Sequence, residues 1–206
     1  MTERRAQEVL DYWFGPDPLA PAHLPDRLQL WFGSDDPVDV VAARDAALVA
    51  RFGGLMEAAA LGDLDRWSAS PHRLLALILL LDQFPRHAFR GRALAYSRDA
   101  KALALTLEGL QTGADAALAP AERLFFYLPL QHAESPEMQD ESVAAYRRLL
   151  ADVPAAQREF FAGSLEFAEQ HRRIVRRFGR FPHRNLPLAR RSTREELEYL
   201  QTGKGL

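Results

Sequence analysis

The 206 residues include no cysteine, which excludes disulfides, thiolate nucleophiles and thiolate metal sites together. Lysine is nearly absent, with Lys101 and Lys204 standing against 24 arginines. A GC-rich genome produces that skew without selection for guanidinium chemistry, so arginine number by itself carries no functional weight. Long apolar runs are missing too. The longest, LLALILLL at 74–81, is about ten residues too short for a bilayer span. The first residues, MTERRAQEVLDYWF, run charged and then amphipathic rather than as a signal peptide. No membrane association and a cytoplasmic location are therefore expected. There is no glycine-rich phosphate loop, no GxSxG elbow and no HExxH spacing. No cofactor and no metal are expected.

What remains is ordinary globular composition, 48% hydrophobic and 26% charged, at a length that favours one domain over residues 1–206. No window alternates apolar and polar residues at period two, so no sheet is expected. Helical spacing instead recurs along the chain. Ala6, Val9, Leu10, Trp13 and Phe14 form one stripe, with Thr2 as N-cap and Gly15-Pro16 as a stop. After a proline-rich connection and the Trp31-Phe32 segment, Asp36-Pro37 reads as the start of a helix that Gly53-Gly54 bends or splits and Gly62 ends. Ser70-Pro71 starts a helix apolar on every side from Leu74 to Leu81, which belongs at the centre of the protein.

Further starts are read at Ser97, Pro120, Ser135-Pro136 and Pro154, with Pro129 stopping the second of these helices after Leu128 and Gly179 closing the last after Phe178. Ser192 and Glu195 have the spacing of a capping box for a final helix ending near Gln201. The expectation is an all-α chain of about nine helices in stacked antiparallel hairpins.

Three segments carry polar residues out of place. In LDQFPRHAFRG, 81–91, Asp82 sits at the end of the apolar helix, where the macrodipole repels a carboxylate, so it needs a cation within reach. Arg86 and Arg90 are the candidates, either closing a structural ion pair or lining a site. In FFYLPLQHAES, 125–135, His132 and Glu134 are read in a connection between helices. The third segment runs from Gln170 to Arg194, with nine arginines and no acid, leaving 17 bases against 28 acids elsewhere. That polarity either steers an anion or pairs two parts of one fold. On its helix Phe160, Phe167, His171, Ile174 and Phe178 share a stripe that points inward. Arg172, Arg173, Arg176 and Arg177 are explained by the helix C-terminus, and Arg173 also lies four residues after Glu169. Arg180, His183, Arg184 and Asn185 are not so explained, because they follow the helix in RFGRFPHRN, 177–185.

Together LDQFPR with its nearby RG, FFYLPLQH-A-E and IVRRFGRFPHRN followed by STREE resemble the bacterial domain-of-unknown-function family 924 over nearly the whole chain. The resemblance implies a tetratricopeptide-like helical fold, and it brings no reaction, cofactor or substrate. Asp82, Arg86, His132, Glu134, Arg180, His183, Arg184 and Asn185 match the family pattern. His87 departs from it where asparagine is usual. Gln131 and Ala133 stand where it reads Glu-His-Ser-Glu, and Ala189 replaces a glycine.

Two functions are weighed. In the first, the three segments converge on a small anion, a carboxylate or phosphate, bound by Asp82, Arg86, Arg90, His171, Arg180, Arg184 and Asn185. A guanidinium fork suits two oxygens at once. If chemistry follows, His132 or His183 carries the proton, with Glu134 or Asp82 orienting it. These residues do not decide whether the protein is an enzyme. In the second, a helical scaffold holds a peptide or partner protein on a concave face. Nucleic acid is disfavoured because the chain carries a net charge of -2.

Overall fold

A computed structural model describes residues 2–33 and 36–202. Among these residues the chain is all-helical, without strands. In chain order the α-helices are α1 (Thr2–Phe14), α2 (Leu24–Phe32), α3 (Val38–Leu61), α4 (Pro71–Leu81), α5 (Gln83–Ala88), α6 (Asp99–Thr112), α7 (Pro120–His132), α8 (Pro136–Asp152), α9 (Arg158–Phe178) and α10 (Arg194–Gln201). Only Asp82 separates α4 from α5, and joining them gives the nine helices that the patterning predicts.

The most apolar helix is the centre. Every residue of α4 from Leu74 to Leu81 is buried, and α1, α3, α6 and α7 all pack on it. One buried cluster runs from Ala6 through Trp13, Phe52, Trp67, Phe84 and Phe125 to Ala168. Ile174, Val175 and Phe181 form a second, smaller cluster, against which Phe178 and Tyr199 pack. That small cluster ties the end of α9 to α10, and the segment between them carries RFPHRN.

Several boundaries differ from those expected, each for a physical reason. Thr2 is the first helical residue of α1 rather than its cap. Pro37, not Asp36, is the N-cap of α3. Gly53 and Gly54 do not split that helix, because burial of Phe52, Leu55 and Met56 beside them outweighs about 1 kcal/mol of helix propensity per glycine. Ser97 ends a short 3-10 turn, and α6 begins at Asp99 after Arg98. A 3-10 turn, Ala155–Gln157, precedes α9, which therefore starts at Arg158. The terminal capping box is one residue later than expected, with Thr193 and Glu196 bonding reciprocally.

The largest correction is at Pro129, which lies inside α7 rather than ending it. Proline removes one N–H from the helix ladder. Neighbouring side chains supply donors to the carbonyls nearby: Tyr146 Oη donates to Leu124 O at 2.9 Å and Thr106 Oγ1 to Phe126 O at 3.2 Å. Beyond the proline, the buried Gln139 amide donates to Gln131 O at 2.7 Å and Ala133 O at 2.8 Å. The helix therefore continues one more turn and ends on His132.

Helix α9 is rotated relative to the expected stripe. His171 and Ile174 face inward, but Phe167 is 59% exposed, and Phe161, Ala168 and Val175 are the buried residues in its place. No described helix is long and apolar enough to cross a membrane.

Candidate functional site

The break between α4 and α5 places a carboxylate where nothing solvates it. Asp82 is 0% exposed, and an isolated carboxylate there would be strongly disfavoured. Its environment answers with donors from three directions. Arg86 Nη1 lies 3.1 Å from Oδ1, Gln83 Nε2 donates to Oδ2 at 2.6 Å, and His132 Nδ1 meets Oδ1 and Oδ2 at 2.8 and 3.0 Å. Burial alone would push this carboxyl up, but Arg86 and then His132 outweigh it and hold it well below the usual carboxylate range.

The ion pairing continues outward as a chain of alternating charge. Arg86 also grips Asp99 with two bonds, Nη1 to Oδ1 at 3.0 Å and Nη2 to Oδ2 at 2.9 Å. Asp99 in turn accepts from Arg184 Nη1 at 3.2 Å. The guanidinium of Arg184 lies 4.7 Å from the ring centre of Tyr96 and 4.6 Å from that of Phe181, a placement that cation–π attraction favours. Arg184 is 6% exposed, and its Nε is buried with no hydrogen-bond partner among the described residues. Desolvation, then repulsion from Arg86, lowers its pKa.

Histidines complete the cluster. His132 and His171 have ring centres 6.4 Å apart, His171 and Phe181 5.4 Å, and Phe181 and His183 5.7 Å. Burial depresses all three imidazoles, taking His171 to about 3 and His183 to about 4, with nearby cations reinforcing the effect. The rings are neutral near pH 7.

Asp82, Arg86, His132, His171, His183 and Arg184 thus come together from four parts of the chain. The other candidates do not join them. Arg90 turns to Asp45 of α3, Nε to Oδ2 at 2.9 Å, beside His87, and lines a separate open groove of about 520 Å³. Glu134 accepts from the Phe181 amide at 2.7 Å and from both Nη atoms of Arg190 at 2.6 and 2.9 Å. Arg180 grips the buried Glu196 through Nε at 2.6 Å and Nη2 at 2.8 Å. Asn185 Nδ2 donates to Ser192 Oγ and Glu196 Oε2, and its Oδ1 accepts from Arg190 Nε. These three residues knot the 180–196 segment into place and leave little capacity for a ligand.

Most arginines of the basic stretch are likewise matched within the protein. Arg172 and Arg176 meet Asp140, and Arg177 meets Glu195. Glu169 pairs with Arg147 and not with Arg173.

Asp99, Tyr96, Phe181, Gln83 and Gln139 escape a reading of the chain. Nothing in the chain singles out Asp99, and only the fold shows it between two arginines. Among the described residues, no three His, Asp or Glu side chains are grouped so as to hold a metal ion.

No curated protein sequence matches the chain. Among solved structures, a protein of unknown function from Agrobacterium tumefaciens, ATU0120, is 38% identical, with a TM-score of 0.80 over 98% of this chain and 100% of that one. The family model described as "Bacterial protein of unknown function (DUF924)" matches residues 9–204, and the chain belongs to that family.

Proposed function

We propose that this protein binds a small oxyanion, a carboxylate or a phosphate, at the cluster of Arg184, His132, His171 and His183. The observation that carries the reading is Arg184, a buried cation that among the described residues has one donor unsatisfied and a share in one carboxylate. An unmet buried N–H costs about 1–3 kcal/mol, and an anion would remove that cost. The inner cluster holds Arg86 and Arg184 against Asp82 and Asp99, so it carries no excess negative charge to repel one.

A proton carrier, His132, is linked to that arginine through Asp82, Arg86 and Asp99. Ionised Asp82 can only accept, so it orients His132 through Nδ1 and leaves Nε2 as the free nitrogen. The same relation of acid and imidazole prepares a base in hydrolytic triads. Of the two orienting acids weighed from the sequence, Asp82 has the better geometry, because Glu134 is occupied by Arg190 and Phe181.

Calorimetric titration of the full chain with inorganic phosphate and with acetate tests the reading. At least one should bind, and Arg184→Gln should weaken it about tenfold or more, the scale of a lost charge-assisted bond. Absence of binding by every oxyanion tried on the wild-type protein would refute it.

A further inference from the structure

The hydrogen-bond polarity of the site narrows the ligand, given that an anion binds there at all. Two of its histidines have their tautomers dictated by their partners. Asp82 is an ionised carboxylate, an acceptor only, so His132 Nδ1 at 2.8 Å must be the donor. Phe167 O is a carbonyl and can only accept, so its 2.8 Å contact requires the hydrogen on His171 Nδ1, and it outweighs the longer approach of Gln131 Nε2 to the same nitrogen at 3.4 Å.

A neutral imidazole has one N–H. With that hydrogen on Nδ1, Nε2 of both rings presents a lone pair, and neither Nε2 has a partner among the described residues. Burial keeps both rings from acquiring a second hydrogen near neutral pH. The rings lie 6.4 Å apart, near enough for one ligand to touch both. The site therefore offers the cation Arg184 and two acceptors fixed by their partners, beside His183, whose neutral ring can turn either a donor or an acceptor to a ligand.

A fully deprotonated oxyanion answers only the first of these, since its other oxygens would face lone pairs. We propose that the site takes a phosphate group that still carries hydrogen, with an anionic oxygen on Arg184 and its O–H donating to Nε2 of His132 or His171, and that it discriminates against sulfate. Sulfate matches phosphate in size and shape but has no hydrogen to donate at neutral pH. Inorganic phosphate always keeps at least one there. A phosphomonoester, with its second pKa near 6, keeps one only at mildly acidic pH.

The test is titration of the full chain at pH 7 and constant ionic strength with inorganic phosphate, sulfate and glycerol phosphate. Phosphate should bind at least tenfold more tightly than sulfate, because a site built around specific hydrogen bonds rejects an analogue that cannot make them. Glycerol phosphate that binds at pH 6 and weakens toward pH 7.5 supports the same chemistry with an ester as the source. Replacement His171→Gln supplies a rotatable amide with N–H donors, and it should narrow the phosphate-to-sulfate ratio at least threefold. Sulfate binding as tightly as phosphate to the wild type overturns this proposal while leaving the anion site standing. If neither they nor acetate bind, the anion site itself falls.

Discussion

Acidification should destabilise this protein well before its carboxylates titrate, and His171 and His183 set the size of the effect. Folded, they titrate near 3 and 4; unfolded, both return to about 6.5. Because the folded values are depressed, the native state binds fewer protons between those limits. The stability they confer is present above about pH 6.5 and lost as pH falls through the window.

At pH 4.5 each unfolded imidazole is stabilised by about 2.7 kcal/mol, two pH units at about 1.36 each, while the folded ones gain almost nothing. The pair removes on the order of 5 kcal/mol, comparable to the whole stability of a marginal domain. His132, also depressed, adds to this. The protection from Asp82 and Glu134, whose folded values are lowered, begins to fail only below about pH 4, so the two causes separate. Urea titrations between pH 7 and 4.5 measure the slope, and His171→Gln should flatten it by up to one proton whatever it does to stability at pH 7. A slope unchanged in that variant would refute the assignment.

Two substitutions test packing and backbone. Gly109→Ala adds a methyl in α6 that would lie 2.5 Å from Phe126 Cζ and 2.8 Å from Leu74 Cδ2; overpacking of about 1–3 kcal/mol should exceed the gain in helix propensity, read as a lower urea midpoint. Ala189 is the one described non-glycine residue with positive φ, at 53°. Ala189→Gly relieves about 1–2 kcal/mol of left-handed strain, less the entropy glycine loses on folding, and should raise the thermal midpoint by a few degrees.

How far the sequence could be read depended on the range of the forces involved. Gly62, Gly113 and Gly179 end their helices in left-handed turns, and local sterics alone dictate that. At Ala189 the resemblance implies glycine, and the positive φ of 53° there is the conformation that glycine adopts most easily. The cation that Asp82 requires is found four residues on, at Arg86, because dipole and desolvation costs are also local. Pro129 misleads because α7 is held by tertiary contacts, among them the bonds of Tyr146 and Thr106 to the carbonyls on either side of the Phe125 carbonyl that proline cannot serve, and both come from far off in sequence. The separation of Arg180 and Asn185 from Arg184 is invisible for the same reason. All three lie in one hexapeptide, and only the position of Glu196 and Asp99 in space distinguishes them.

The Glu134 knot has a consequence for the order in which the molecule assembles. It joins residues 47 and 56 positions apart, and beneath it lies only the small cluster of Ile174, Val175 and Phe181. Contacts of that separation close late, after the helices they join have formed. With so small a cluster beneath it, the 180–192 stretch should open while the main core is still intact, in the manner of a low-stability cooperative unit. Its amide hydrogens should exchange with solvent faster than those of α4. Each such opening would lift Arg184 and His183 off His132, dismantling the anion site without unfolding the protein.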